Sequence, residues 1–504
     1  MFLCIFGVLF FLFGFFVFSY ISVVSSWQYK IIYFLIFTLA VIHEYGYQNA
    51  YGRFSEETDV TLALFTTNAQ KLNAITTYFN PLAIIPCAAF LFMLVTVKPK
   101  ITPHGLKSFL AVLFLFTFSF TFNRHVNPNG FNNQFPTVSF EAFSRTGIRY
   151  LLFRTFSYRG ERDKPERPLL PDSYKPNNNI VFIVDESIRG DHLCLNGYAR
   201  PTTPYLEELS KHGALKNWGI AVSGTICSFQ SHDLLLTGFR TEDLPDPNEE
   251  INKAPLIFQY AKAMGYKTYY LDGQMDKYWG VIGNEGFQYL DVWLGASYFY
   301  QNTNLTHEID FEIAKKVNEI ITSSSGNFIF VFKNGNHVPY SNNFPPEEVI
   351  WKPYFVGTPL RVTAEELPTV ANAFDNGLRY NSDKFFKTLA SDYNKLPNNT
   401  LIVYTGDHGE TLSENGAVLP HGVESKNVAT IPIFIIGKLQ QEVDINFKAS
   451  HSNLFPTILD MMNYPQELRK RDYAISLLKA KASDSKERYF ATCDLANGRK
   501  IKFD

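Results

Sequence analysis

Apolar and polar positions divide the chain into two regimes. In roughly the first 125 residues the pattern is one of long apolar runs. "MFLCIFGVLFFLFGFFVFSYISVV" (1–24) exceeds the roughly 20 residues that a membrane-spanning helix needs. "FNPLAIIPCAAFLFMLVTV" (79–97) is also long enough, and "LKSFLAVLFLFTFSFTF" (106–122) is near the lower limit. "KIIYFLIFTLAVIHEYGY" (30–47) is weaker, because His43 and Glu44 sit near its end. From Asn179 onward short apolar runs alternate with amphipathic stretches. "NIVFIVDES" reads as a buried strand ending in carboxylates, and "APLIFQYAKAMGYKTYYLDG" as helix, glycine turn and strand. "NFIFVFKNGNH" and "NTLIVYTGDHG" read as further strands, and "SHSNLFPTILDMM" as a helix. Such alternation predicts a mostly parallel sheet with helices on both faces, an α/β/α layering.

Charge sharpens the division. Residues 1–29 carry no charged side chain, and up to Val97 the only basic residues are Lys30, Arg53 and Lys71. A cleaved signal peptide would need a basic leading segment and a small-residue cleavage site, and would not be followed by further apolar runs. The expectation is therefore an N-terminal transmembrane domain of about four helices over 1–124. Lys98, Lys100 and Lys107 mark the loop between the third and fourth spans as cytoplasmic, and Glu56, Glu57 and Asp59 lie in the opposite loop. Everything after the fourth span is then outside. The net charge of -2 gives no sign of a nucleic-acid-binding surface.

Residues 125–176 read as a connector: an Asn/Gly/Pro loop, an amphipathic stretch 137–158 suited to the membrane interface or to packing on the soluble domain, and a polar, Pro-rich linker. A catalytic domain follows over 177–504. There are five cysteines, of which Cys194, Cys227 and Cys493 fall in the outer domain. Three cysteines allow one bridge in an oxidising compartment, and Cys194 with Cys227 is the first expectation.

Polar clusters stand at the ends of the strands, where open α/β sheets place their sites. "IVFIV" ends in Asp185-Glu186-Ser187, and "LIVYT" ends in "GDHGE" with Asp407 and His408. Between them in sequence lies "SGTICS", where Thr225, Cys227 and Ser228 all carry nucleophilic atoms. Further clusters are "NGNHVPY" with His337 and "ENGAVLPHG" with His421. Carboxylates and an imidazole suit zinc in a tetrahedral shell, and a hydroxyl that completes such a shell loses its proton at neutral pH. Asp185 is read as a carboxylate satisfied at its strand end rather than as a second ligand.

"IVFIVDESIRGDHLCLNGYARPTTPYLEEL", "SGTICS", "NGNHVPY", "YTGDHGETLSENG", "LPHG" and "SHSNLFPTILDMM" together resemble the sulfatase/alkaline-phosphatase superfamily. Within it they are similar to the bacterial membrane-bound phosphoethanolamine transferases. The resemblance implies that Glu186, Asp407 and His408 bind zinc, with Thr225 as a fourth ligand and the nucleophile. It implies that His337 and His421 contact the phosphate and that one of them protonates the leaving oxygen. Lys277, in "DGQMDKYWG", takes the place where the family has a lysine near the substrate phosphate, and Gln274 nearby is a candidate to hold the donor, although an exposed surface role explains many a lysine. Sulfatases use a Cys-x-Pro-x-Arg signature, and here Phe229 and Ser231 replace the Pro and Arg, so Cys227 does not fit. Ser228 matches a serine that follows the threonine in the transferases.

The function so implied moves phosphoethanolamine from phosphatidylethanolamine to lipopolysaccharide, with inner-core heptose favoured and lipid A second. The protein is expected to be monomeric, among membrane lipids, multi-pass in the bacterial inner membrane with its catalytic domain in the periplasm. A membrane-anchored hydrolase, a phosphoglycerol transferase and a degenerate lipid-binding homologue are the alternatives.

Overall fold

The computed structural model describes residues 162–276, 281–303, 305–359, 362–389, 396–414 and 422–504, together with 79–96 and parts of 30–46. The chain divides into two compact units, Met1–Ser157 and Tyr158–Asp504. The first and fourth expected spans, the connector up to residue 161, Lys277 and His421 lie outside the described residues.

In the first unit a helix runs from Ile84 to Thr96, led by a short 3-10 turn, Pro81–Ala83, in which Leu82 N donates to Asn80 Oδ1. Among the described residues no helix is long and apolar enough to cross a membrane. The helix packs against the 30–46 segment. Lys30 Nζ donates to Leu94 O at 2.9 Å, and the rings of Phe37 and Phe90 lie 4.5 Å apart. Its outward positions remain apolar: Ile84, Ile85, Phe92 and Val95 are each more than half exposed.

In the second unit seven strands form one sheet in the order β2-β7-β6-β1-β5-β3-β4. They are β1 (Asn179–Asp185), β2 (Leu215–Val222), β3 (Lys267–Asp272), β4 (Val292–Leu294), β5 (Asn327–Phe332), β6 (Thr400–Gly406) and β7 (Thr430–Ile436). The run β4-β3-β5-β1-β6 is parallel throughout, and β7 pairs antiparallel with both β6 and β2. The central strand β1 is buried along its whole length, which is why its sequence is an unbroken apolar run rather than an alternating one. Its side chains still alternate between faces. Ile180, Phe182 and Val184 join a core with the helices Ser228–Thr237, Ile257–Ala263 and Leu454–Met461. Val181 and Ile183 join a second core with Pro204–Lys211, Ile309–Ser323 and Lys384–Leu389. The expected three-layer α/β/α architecture is therefore present. A separate hairpin, β8 (Tyr489–Ala491) with β9 (Lys500–Lys502), was not expected.

Two expectations are corrected. The described end of the linker is no free tether. Arg162 is buried and donates to Ala254 O at 2.5 Å, Asp163 N donates to Lys253 O, and Glu166 O accepts from Tyr464 OH. The disulfide joins Cys227 to Cys493, with their Cα atoms 5.5 Å apart, and Cys194 is a free thiol. The reason lies in the backbone. Ile226 N donates to Ala491 O and Ala491 N to Gly224 O, so the turn 224–227 is laid as an extra bridge along β8 and Cys493 follows directly. Cys194 instead sits in its own turn, with Sγ accepting from Thr203 N at 3.2 Å.

Candidate active site

The site forms where β1 and β6 end side by side. Asp407 N donates to Asp185 O and Ile188 N to His408 O, so the residues after the two strands are stitched together. Ser187 takes a left-handed conformation, φ 61°, which is sparsely populated for a residue with a Cβ. That turn sends its N–H to Asp407 Oδ1 at 2.9 Å and its hydroxyl to Glu186 Oε1 at 2.7 Å. Gly335, after β5, closes in from the side at φ 62°. A Cβ there would lie 2.6 Å from the backbone N of Glu186, so only glycine permits this approach.

Glu186, Asp407 and His408 are buried, and one ligand atom of each lies within 4.8 Å of the others. The expected metal set is thus brought together. Burial works to raise the pKa of Glu186, but the charges of His337 and His408 and hydrogen bonds from Gln274 and Ser187 outweigh it and hold it at about 2. Burial, and then the charge of Glu186, push Asp407 well above the ordinary carboxylate range. Two carboxylates crowded into one dry site repel each other. Asp407 Oδ2 is buried without a hydrogen-bond partner. An orphaned carboxylate oxygen beside a second carboxylate and an imidazole is what a divalent cation would satisfy, and two hard oxygens with one nitrogen suit zinc.

His408 is held in one tautomer. Its Nδ1 lies 2.8 Å from Gly409 O, which can only accept, so the neutral ring carries its proton there and Nε2 is left as a donor of electrons. Gln274, expected to hold the lipid donor, turns its amide inward: Nε2 donates to Glu186 Oε2 at 2.9 Å and to Lys333 O at 3.0 Å. It orients the Glu186 carboxylate in this arrangement. Asp185 accepts from Lys333 Nζ at 2.6 Å, Tyr404 OH at 2.7 Å and Ser382 Oγ at 3.1 Å, as expected of a carboxylate satisfied at its strand end. His337 is exposed, with Nδ1 on Val338 O at 2.6 Å, and its charge acts on Glu186.

Thr225 departs from its expected place. Its hydroxyl is fully buried within its own turn, donating to Cys227 O at 2.9 Å and lying 3.0 Å from Ser231 Oγ. Ser228, the first residue of the helix Ser228–Thr237, has its Oγ 3.0 Å from His408 Nε2 and 3.5 Å from Glu186 Oε1. Sequence reasoning also missed His451. Its Nδ1 accepts from Gly224 N at 3.0 Å and its Nε2 donates to Gly406 O at 2.9 Å. Its place in "SHSN", before an apolar helix, was the one available signal.

A family model described as Sulfatase matches residues 178–464. The chain is 24% identical over 307 residues to the Kdo(2)-lipid A phosphoethanolamine 7''-transferase of Salmonella typhimurium, covering 56% of this chain and 51% of that protein. It is 26% identical over 252 residues to the phosphoethanolamine transferase EptC of Escherichia coli K12, covering 49% and 42%. The chain thus spans about half the length of the curated relatives it matches. Its fold is shared with the lipooligosaccharide phosphoethanolamine transferase A of Neisseria meningitidis, with a TM-score of 0.59 at 17% identity over 88% of this chain and 87% of that one. It is shared also with the periplasmic domain of Escherichia coli EptC in complex with Zn, with a TM-score of 0.54 at 20% identity over 68% and 97%. By the extent of the matched segment, and by the carboxylate and imidazole cluster at the ends of β1 and β6, the chain belongs to the sulfatase family.

Proposed function

We propose that the protein transfers phosphoethanolamine from phosphatidylethanolamine to lipopolysaccharide, with inner-core heptose as the favoured acceptor and lipid A the second. The carrying observation is the buried Glu186–Asp407–His408 group, with an orphaned carboxylate oxygen and a hydroxyl-bearing turn beside it. The transferase names of the relatives support this head group. In this reading Glu186, Asp407 and His408 hold zinc. Zinc bound there would ease loss of a proton from a neighbouring hydroxyl and offset negative charge on the phosphoryl oxygens.

The chain's own groups do the rest. Gln274 and Ser187 fix the two oxygens of Glu186, and Gly409 O fixes the His408 ring. His337, at the exposed rim, contacts the phosphate and can give a proton to the leaving oxygen. Lys277 and His421 share in holding the phosphate. The first unit anchors the protein in the inner membrane, supported by the outward apolar face of the helix Ile84–Thr96. A disulfide in the second unit supports an oxidising, periplasmic setting.

The test is to incubate the detergent-purified protein and zinc with phosphatidylethanolamine vesicles, with and without lipopolysaccharide. Diacylglycerol release, with phosphoethanolamine found on the acceptor, is expected. Free phosphoethanolamine alone would show a hydrolase. Turnover of phosphatidylglycerol vesicles in place of phosphatidylethanolamine would change the head group.

A further inference from the structure

The turn 225–228 offers three nucleophilic side chains, and the structure gives each a different position. Thr225 Oγ1 is spent inside the turn, and Ser223 Oγ and Ser231 Oγ both close on its carbonyl, at 2.7 Å and 3.2 Å. Cys227 Sγ is bonded to Cys493. Ser228 Oγ alone of the three reaches the buried cluster. Ser228 Oγ lies 3.0 Å from His408 Nε2 and 3.5 Å from Glu186 Oε1.

We propose that Ser228 is the attacking hydroxyl of this chain, and that Thr225 and the Cys227–Cys493 bridge are positioning groups that hold the turn presenting it. This rests on the transferase reading above. In the first half-reaction Ser228 Oγ forms a bond to the phosphorus of phosphatidylethanolamine, and the bond from that phosphorus to the glycerol oxygen breaks. The proton that leaves the serine ends on the glycerol oxygen, so neutral diacylglycerol departs and a phosphodiester remains on Ser228. In the second half-reaction the acceptor hydroxyl attacks the same phosphorus, the Oγ–P bond breaks, and the acceptor's proton returns to Ser228.

The experiment is intact mass and peptide mapping of the full chain, with zinc, after exposure to phosphatidylethanolamine vesicles without acceptor. A parallel sample is exposed to bis(4-nitrophenyl) phosphate, which does not depend on the lipid head group. Wild type is expected to carry one phosphoethanolamine group, mapped to Ser228. Ser228→Ala should lose it while keeping wild-type zinc content, Ser228→Thr should restore it, and Thr225→Ala should still form it on Ser228 in lower yield. Labelling of Ser228 by the aryl phosphodiester, with no adduct from the lipid, would keep the nucleophile and overturn only the donor. An adduct mapped to Thr225, an adduct surviving in Ser228→Ala, or no adduct with either reagent would overturn the proposal itself.

Discussion

The imidazole of His451 accepts the backbone N–H of Gly224 at 3.0 Å, and through its other nitrogen holds Gly406 O at 2.9 Å. One buried ring therefore ties the start of the turn 224–227 to the end of β6, directly before Asp407. Burial, the dominant effect, keeps the ring neutral and lowers its pKa to about 3. His451→Ala leaves a buried donor and a buried acceptor unmet, at about 1–3 kcal/mol each. Urea unfolding of the variant should show a loss of about 2–5 kcal/mol. The pH dependence has a definite sign. The folded pKa of about 3 lies below the ordinary 6.5, so the ring's contribution is full above pH 6.5 and lost as pH falls through 3. The gap between wild type and His451→Gln should therefore narrow on acidification, and a gap independent of pH would contradict the assignment.

Gln274 tests whether the second layer matters. Its amide is the fixed partner of Glu186 Oε2. Outer partners of metal ligands typically govern affinity by about 10–100-fold. Gln274→Ala should weaken zinc binding by about that factor in a chelator competition, with little change in thermal stability without metal. Unchanged affinity would mean that Glu186 is oriented by Ser187 and the backbone alone.

Asp272, at the end of β3, is buried with Oδ2 unpartnered while Oδ1 accepts from Gln274 N and Met275 N, both at 2.8 Å. Burial raises its pKa from 3.8 to about 7. Here the folded value lies above the unfolded one. The group's favourable contribution is complete below 3.8 and lost as pH rises through 7. Asp272→Asn keeps the acceptor for both backbone N–H groups and removes the charge. Relative to wild type it should gain on the order of 2 kcal/mol between about pH 5 and pH 8. The opposite trend in unfolding midpoints would show that Asp272 has a charged partner.

The bridge predicts a thiol pattern. In denaturant without reductant, an alkylating reagent should modify Cys87 and Cys194 and spare Cys227 and Cys493. After reduction Cys227 and Cys493 should react as well, and the folded second unit should lose about 2–4 kcal/mol. Protection of Cys194 before reduction would restore the pairing first expected from sequence.

The sheet was readable because buried strands are near-continuous apolar runs: β1 and β5 are buried throughout, and β6 at all but Leu401. Glu186, Asp407 and His408 were readable because they follow those runs directly. Cysteine pairing was not, since spacing along the chain carries no record of which strand a turn will lie against. The choice between Thr225 and Ser228 depends on where the helix begins, since its first residue is the one that meets His408. His451 was hidden for another reason: beside the Thr405 hydroxyl it holds backbone groups of two distant segments, and backbone groups leave no mark in a sequence. The linker misled because its Pro-rich, polar composition describes a tether equally well whether or not its backbone finds partners.

The clamp on the turn 224–227 also sets an order of events in the making of the protein. Cys493 is synthesised 266 positions after Cys227, and the strand that receives the turn comes with it. A nascent chain that has already exposed Glu186, Asp407 and His408 still lacks the partner that fixes residues 224–227. Glu186, Asp407 and His408 can therefore assemble early, while the turn that carries Ser228 is set in place only after Cys493 has been made and oxidised. Under the function proposed above, such a chain stays chemically silent until that bridge has formed.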